Sequence, residues 1–409
     1  MSSPPRTPAP NLVLLRTSAR PRQAESAATI DGELEILGLS LARRTTLAAR
    51  RAGFGRVFRL ASAQSAPWRE AAAALVSGPP APLVIAPETI LGETGWLAQL
   101  AAAPSEPARW SEAPGRLIVL GAERAAQALA MLASEHDATM LADLRERLFV
   151  RFGPPTPLPA ALDPLLVESA NEIAPAERRL LQSLVKESDG FMARHAERPI
   201  SLAISRLLAP TAVTPNQITL VSVGLGLIAA PFFLSPLGEW QTLGGLLLLA
   251  HSILDGCDGE LARLRFQETR WGGTLDFWGD NVVHSAVFAC MALGWSRIGG
   301  GMPPLILGAS AVLGTIASAS FVYWRVMRAK RDSGPLFTSV ARAPSRPLAR
   351  LLDTLSRRDF IYLIIAFALF GRANLFLLLT GLGAPMFFAA VVYLDLRQRT
   401  AKASSPPGT

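Results

Sequence analysis

The chain has 409 residues and a formal net charge of +8, and it is 50% hydrophobic but only 18% charged. This composition excludes a disordered or a collagen-like chain. Lys186, Lys330 and Lys402 are the only lysines, so 37 of the 40 basic residues are arginines. Such a bias indicates GC-rich coding, and no nucleic-acid partner is expected. The two cysteines, Cys257 and Cys290, lie in apolar stretches and can form neither a disulfide framework nor a Cys-rich zinc site.

The first half of the chain has the pattern of a soluble domain. Residues 1–10 (MSSPPRTPAP) predict a disordered tail without a secretory signal peptide. Beyond them, short apolar runs typical of buried strands alternate with segments that repeat apolar residues at helical spacing. The strands are predicted at 11–15, 56–60, 83–86 and 117–120, and helices at 41–52 and 123–134. This alternation predicts an α/β domain over residues 11–160 with a partly parallel sheet.

Residues 161–210 are predicted to form a linker and juxtamembrane helices. In the segment 199–210 (PISLAISRLLAP), apolar residues recur at helical spacing from Ile200, and Arg206 lies apart from that face. This pattern favours an amphipathic helix at the membrane interface, directly before the bilayer.

The second half predicts a six-helix transmembrane domain over 211–396, followed by a polar tail at 397–409. A membrane-spanning helix needs about 20 mainly apolar residues. The candidate spans lie at 217–234, 240–259, 276–296, 303–324, 358–371 and 374–395, of which the fifth is the shortest.

The charges of the loops favour six spans in the inner membrane, with both termini in the cytoplasm. The loops near 235–240, 297–302 and 371–374 carry at most one basic residue each, whereas nine basic residues lie between Arg325 and Arg358. Cytoplasmic loops are rich in Lys and Arg, so six spans satisfy every loop, and five would place one end on the wrong side.

An acidic constellation lies where the second and third predicted spans meet. Asp255 and Asp258 share one face of the second span, and Asp276 and Asp280 lie one turn apart on the third. Four carboxylates so close would repel one another, and divalent cations would offset that repulsion. Oxygen ligands favour Mg²⁺ or Mn²⁺ over zinc, and four aspartates can hold two such ions, the arrangement used for phosphoryl transfer.

The spacing D-x2-D-G-x2-A-R-x8-G-x3-D-x3-D runs from Asp255 to Asp280 and resembles the signature of the CDP-alcohol phosphotransferase (CDP-alcohol phosphatidyltransferase) family. The resemblance covers about residues 190–396. It implies a six-span fold and the transfer of a substituted phosphate from a CDP-alcohol donor to the hydroxyl of an acceptor alcohol, with release of CMP. Such substrates are made in the cytoplasm, where the charge rule puts both pairs of aspartates.

Roles follow from the resemblance position by position. Asp255, Asp258 and Asp276 would be metal ligands, and Asp280 would lie near the metals and act as the general base. Residues lining the nucleotide site would be Pro215, Asn216, Gly259, Ala262, Arg263 and Gly272. Taken alone, the small residues Gly256, Gly259 and Ala262 would favour close helix packing, and together with the aspartates they favour close approach of a ligand.

The acceptor site is predicted less directly. An anionic acceptor needs cations, and four residues near the acidic constellation are candidates for contacting it: Arg270, His284, Arg325 and Arg328. Each could instead have a structural role, as a topology anchor or in helix contacts.

The N-terminal half resembles a sugar-phosphate nucleotidyltransferase in its second strand-and-helix unit, beginning at Gly38. Such domains occur fused to this membrane domain in inositol-phosphate cytidylyltransferase/phosphotransferase proteins. However, the segment 16–22 (RTSARPR) has no glycine for a phosphate-binding loop, and only Glu88 follows the LVIA strand where an aspartate would bind Mg²⁺. The domain is therefore expected to be a degenerate, catalytically silent relative.

Several alternatives stay open at this stage. The chain could be bifunctional and make its own CDP-linked donor, it could be a cation-coupled transporter, or it could be a membrane scaffold with a decayed site. Clustering of the acids at one membrane face and the lack of a detectable inverted repeat argue against a transporter. A homodimer is also left open, and the identity of the donor and acceptor alcohols is not given by the motif.

Overall fold

The structure is a computed structural model. It describes residues 9–15, 31–60, 74–75, 80–103, 110–113, 117–134, 141–159, 162, 164–185, 191–327 and 360–403. The chain divides into two compact units, Met1–Ser183 and Leu184–Thr409, and the division falls inside the predicted linker.

The first unit is built on a mixed sheet. Its described strands are β1 (Asn11–Leu15), β2 (Glu35–Ile36), β3 (Leu39–Ser40), β4 (Val57–Leu60), β5 (Leu83–Pro87), β6 (Trp110–Ala113), β7 (Leu117–Leu120) and β8 (Thr156–Pro157). Six of them form one sheet in the order β4-β1-β5-β7-β6-β8, while β2 pairs with β3. Because β1 is parallel to β4 and β5, and β7 is antiparallel to β5 and β6, the predicted partly parallel sheet is confirmed. Strand β6 is not predicted, since WSEA lacks an apolar run.

Helices accompany the sheet of the first unit: α1 (Leu41–Ala52), α2 (Thr94–Ala102), α3 (Ala122–Ser134), α4 (Leu141–Phe152) and α5 (Ala170–Gln182). Helix α1 has its predicted bounds, because Gly53 takes a left-handed φ of 94° and closes the C-terminus with its own N–H. The buried guanidinium of Arg44 donates to the carbonyl of Ile36 at 2.7 Å, and its burial lowers the pKa to about 10.

The described part of the second unit is helical. A π-helical turn (Ala193–Glu197) precedes α6 (Arg198–Leu208). Helix α7 (Pro215–Ala229) is followed by a 3₁₀ turn (Ala230–Leu234). The remaining helices are α8 (Gly238–Arg265), α9 (Arg270–Trp295), α10 (Met302–Val322), α11 (Phe360–Leu369) and α12 (Asn374–Ala403). Helix α6 corresponds to the predicted juxtamembrane helix.

Among the described residues, four helices are long and apolar enough to cross a membrane: Pro215–Leu234, Arg270–Gly299, Met302–Arg325 and Asn374–Arg397. They match the first, third, fourth and sixth predicted spans. The second falls on α8, whose 28 residues include several buried polar side chains, among them Gln241 and His251. The fifth falls on α11, an apolar helix of 10 residues. The described residues thus contain four candidate spans, and the count of six stays a prediction.

Two of the predicted loops that are poor in basic residues contact each other. A Cβ atom at Gly238 would lie 3.0 Å from the backbone nitrogen of Gly371. Gln241 joins the same two loops, since its amide donates to the carbonyl of Ser235 at 2.9 Å and accepts from the N–H of Ala373 at 3.0 Å. The loops near 235–240 and 371–374 therefore lie on the same side, as the predicted alternation of spans requires.

Candidate active site

The two acidic helices are brought together by a short turn. Helix α8 ends at Phe266, which adopts a left-handed φ of 58°. Helix α9 begins after Thr269, whose side chain accepts a hydrogen bond from the N–H of Gly272 at 2.9 Å and thereby caps the helix. As a result, carboxylate oxygens at the end of α8 and at the start of α9 come close to one another.

Three of the four predicted acids converge. One carboxylate oxygen from each of Asp255, Asp258 and Asp276 lies within 4.8 Å of the other two. Asp255 and Asp258 are buried, and the hydroxyl of Thr219 on α7 donates to Asp258. Three helices therefore contribute to the cluster, two with ligand atoms and one with a supporting hydrogen bond.

Asp280, the fourth acid, lies one turn beyond Asp276 and next to a histidine. Its Oδ1 atom is 3.6 Å from Nε2 of His251. His251 is buried on α8, and its Nδ1 lies 2.8 Å from the carbonyl oxygen of Ser222 on α7. That contact orients the imidazole ring so that its other nitrogen faces Asp280.

The donor set of the cluster fits a hard divalent cation. Three carboxylates this close together and largely buried would be costly to hold as anions without a compensating charge. Oxygen donors alone match Mg²⁺ or Mn²⁺, which complete their coordination with water and phosphate oxygens. The cluster therefore has the chemistry to hold such an ion.

The Pro-Asn element lies against the start of α9. Thr214 and Gln217 form a capping box at the N-terminus of α7, with Pro215 as its first residue. The Oδ1 atom of Asn216 lies 2.9 Å from the point where a Cβ at Gly272 would be. Two predicted nucleotide-site residues from separate motifs are thus neighbours in space.

The small residues of α8 face different surroundings. A Cβ at Gly256 would lie 3.4 Å from Nη1 of Arg198 and 3.6 Å from Cβ of Ser201, which are ordinary contact distances. A Cβ at Gly259 would meet, within 4 Å, only the guanidinium of Arg263 among the described residues. Gly256 therefore faces α6, while Gly259 lies beside Arg263. Ala262, also predicted to line the nucleotide site, is buried on the same helix.

The predicted acceptor residues are dispersed. Arg270 is exposed at the first position of α9. His284 packs against Phe360 on α11, with ring centroids 5.2 Å apart. Arg325, in the π-helical turn after α10, donates to Asp395 on α12 at 2.9 Å. Arg328 lies outside the described residues.

Residues 212–344 match the family model of CDP-alcohol phosphatidyltransferases. This region of the chain is a CDP-alcohol phosphatidyltransferase domain. The match contains both aspartate pairs and begins just before α7, so the domain includes the Pro-Asn element.

Curated relatives resemble about a third of the chain. The "Bifunctional IPC transferase and DIPP synthase" of Thermococcus kodakarensis is 42% identical over 127 residues, which are 31% of this chain and 28% of that protein. The "Phosphatidylinositol phosphate synthase" of Corynebacterium glutamicum is 31% identical over 137 residues, which are 33% of this chain and 59% of that protein. Each alignment thus covers less than two thirds of the relative.

A crystal structure of Mycobacterium tuberculosis phosphatidylinositol phosphate synthase with CDP-DAG bound is also similar. The match has a TM-score of 0.33 and 19% sequence identity, and it covers 51% of this chain and 96% of that one.

Thr219 and His251 were missed as site residues by the sequence analysis. Both lie at helical spacing from motif residues, since Thr219 is four residues after Pro215 and His251 is four residues before Asp255. That spacing could have marked them as facing the transferase site. Their partners on other helices have no sequence signal.

Proposed function

We propose that the chain is an integral membrane CDP-alcohol phosphotransferase, which moves a substituted phosphate from a CDP-alcohol to an acceptor hydroxyl and releases CMP. The observation that carries the proposal is the convergence of Asp255, Asp258 and Asp276 within a domain of this family. Three converging carboxylates, two of them buried, suit phosphate chemistry and have no evident use in helix packing alone.

In this proposal, Asp255, Asp258 and Asp276 hold two Mg²⁺ or Mn²⁺ ions, and Asp280 lies beside the metal site. The metal supplies charge neutralisation for the pyrophosphate of the donor. Thr219 holds the carboxylate of Asp258 in place through its hydrogen bond. Asn216, Gly259, Ala262, Arg263 and Gly272, with Pro215, line the nucleotide site.

Asp280 is the general base. It takes the proton of the acceptor hydroxyl, whose oxygen then bonds to the phosphorus that carries the donor alcohol. The bond from that phosphorus to the bridging oxygen breaks, and CMP leaves with this oxygen. Because Nε2 of His251 lies 3.6 Å from Oδ1 of Asp280, the imidazole restricts the carboxylate to one region of the site.

The acceptor is a phosphorylated polyol of the inositol phosphate type. Relatives from Corynebacterium glutamicum and Pyrococcus horikoshii are named as synthases of phosphatidylinositol phosphate and archaetidylinositol phosphate, respectively. Arg270 is a candidate for the acceptor phosphate, since it is exposed at the start of α9. Arg325 is a weaker candidate, because its guanidinium is engaged by Asp395.

The protein crosses the inner membrane six times, with α8 and α11 as the second and fifth spans. Both termini and the acidic cluster lie on the cytoplasmic side, as the loop charges favour. The association of two copies is compatible with this topology.

The N-terminal unit is catalytically silent in this proposal. Glu88, which follows β5, is fully buried and forms an ion pair with Arg59 at 3.0 Å, and Arg59 also binds Glu33 at 2.5 Å. A carboxylate held by a guanidinium is a poor replacement for a metal-binding aspartate. The segment 16–22, where a phosphate loop would lie, is outside the described residues.

The decisive experiment is a transfer assay with the purified full-length protein in lipid nanodiscs. CMP release is measured with CDP-diacylglycerol or another CDP-alcohol as donor, with Mg²⁺ or Mn²⁺, and with a panel of polyols and polyol phosphates as acceptors. We expect turnover that requires both an acceptor and a metal and that stops when EDTA is added. Absence of metal-dependent CMP release with every donor and acceptor would contradict the proposal and favour a transporter or a scaffold.

A further inference from the structure

The segment that precedes the first transmembrane helix is attached to the acidic helix by buried polar contacts. This juxtamembrane segment, residues 198–213, comprises α6 and the loop that leads to Thr214. Ile200 and Leu207 on α6 are 50% and 74% exposed, whereas Ser201 and Ser205 are buried. The apolar face of α6 thus points outward and its serine face points to α8.

Glu260 on α8 receives that serine face. Its carboxylate is fully buried and accepts hydrogen bonds from Arg198 at 2.6 Å and from Ser201 and Ser205 at 2.7 Å each. At about 100° per residue, Glu260 lies about 200° around α8 from Asp258, so it points away from the acidic cluster. A buried carboxylate requires such partners, and here all three come from α6.

Arg265, five residues further along α8, holds the other end of the segment. Its guanidinium donates to the carbonyls of Leu208 at 2.7 Å, Ala209 at 2.7 Å and Val213 at 2.6 Å, and it also binds the carbonyl of Thr211. Carbonyls at a helix C-terminus have no intrahelical donors and carry partial negative charge. The planar fork of an arginine can satisfy several of them at once.

The fixed loop runs directly into the transferase site. Thr214 caps α7, Asn216 reaches Gly272, and Thr219 donates to Asp258. The place of Asn216 relative to Gly272 therefore depends on where the loop before Thr214 ends. Because Arg265 binds three carbonyls of that loop, those of Ala209, Thr211 and Val213, it sets this end point.

We infer that Glu260 and Arg265 are positioning residues for the nucleotide half of the site. They attach residues 198–213 to the helix that carries Asp255 and Asp258, and so hold Asn216 beside Gly272. The inference rests on the proposed function, in which Asn216 lines the nucleotide site. Neither residue contacts the metal cluster, so their loss changes nucleotide affinity and leaves metal affinity unaltered.

Binding of CDP and of Mn²⁺ to the full-length protein in nanodiscs, measured separately by calorimetry, tests the inference. For Arg265→Gln we expect CDP affinity to fall about tenfold while Mn²⁺ affinity stays within about twofold, as for a loss of positioned contacts without loss of the ligands. Arg265→Lys restores part of the affinity, since an ammonium reaches fewer carbonyls than a guanidinium. Arg206→Gln is the matched control: it removes the same charge from an exposed position of α6 and should bind CDP like the wild type.

A second variant tests the inference in case Arg265→Gln does not fold. The Ser201→Ala/Ser205→Ala pair removes two donors to Glu260 but keeps Arg198, and we expect a smaller loss of CDP affinity in the same direction. Wild-type CDP affinity in Arg265→Gln, or an equal loss of CDP and Mn²⁺ affinity in a variant with an unchanged Tm, would overturn the inference while leaving the proposed function intact. A wild-type protein that binds Mn²⁺ but no CDP would instead overturn the proposed function.

Discussion

Asn216 and Gly272 are neighbours although 56 residues separate them, since Oδ1 of Asn216 lies 2.9 Å from the position that a Cβ at Gly272 would occupy. One residue belongs to the first turn of α7 and the other to the first turn of α9. A larger residue at 272 would require the end of the Asn216 side chain to shift. The glycine of the motif is thus explained by a contact, with no need of an unusual backbone conformation.

This contact predicts the effect of Gly272→Ala. The added methyl group would displace the Asn216 side chain, so we expect the KM for the CDP-alcohol to rise by about tenfold, as for loss of a binding contact. Alanine also favours a helix over glycine, so the Tm should not fall. Gly224→Ala is the control, because nothing lies within 4 Å of a Cβ at that helical position. Equal KM values in the two variants would show that Asn216 does not depend on Gly272.

The acids of the two helices should differ in their measured roles. Asp258→Asn removes a charge from the converged cluster, and we expect Mn²⁺ affinity to fall at least about tenfold. Asp280→Asn should leave Mn²⁺ and CDP binding largely intact, because Asp280 is not in that three-residue group. Its turnover should fall by about 10²–10⁴, the usual contribution of a general base. If both variants lose metal affinity equally, Asp280 is a metal ligand, and the proposal that it acts as a general base separate from the metal ligands is wrong.

The sequence predicted the elements better than the contacts between them. Apolar runs predicted β1, β5 and β7, because a buried strand is recognised by a short run of apolar residues. The spacing of the aspartates predicted which two helix ends contribute to the acidic cluster. Glu260, by contrast, cannot be predicted from the pattern. An acidic residue near a helix end suggests exposure to solvent, whereas the burial of Glu260 depends on Arg198 and two serines 55 to 62 residues away. Partners of that kind are set by how the helices pack.

The predicted topology can be tested with single cysteines in a Cys257→Ala/Cys290→Ala background, which should keep activity within a few-fold. Glu239→Cys is preferable to a change at Gly238, where a side chain would meet Gly371. We expect Glu239→Cys to react with an impermeant maleimide in intact cells, and Gln267→Cys, exposed between α8 and α9, to react only after permeabilisation. Labelling of Gln267→Cys from outside would invert the topology and separate the site from its cytoplasmic substrates.

The last prediction concerns the first unit. A truncated protein that begins at Leu184 keeps α6 and every residue proposed for the site, and we expect it to retain metal-dependent CMP release when both substrates are supplied. A start at Pro175 would be a worse choice, since Pro175 lies inside α5 and two residues of that helix after it, Ala176 and Leu180, are buried.

The complementary fragment, 1–183, should form no CDP-polyol from CTP and any polyol phosphate, because Arg59 engages the Glu88 carboxylate that would have to bind a metal. Arg59→Ala in this fragment is the matched control, and it should not create activity, since a glutamate without a phosphate-binding loop cannot support nucleotidyl transfer. Formation of a CDP-polyol by the unaltered fragment would make the protein bifunctional, with the first unit producing the donor that the membrane domain uses.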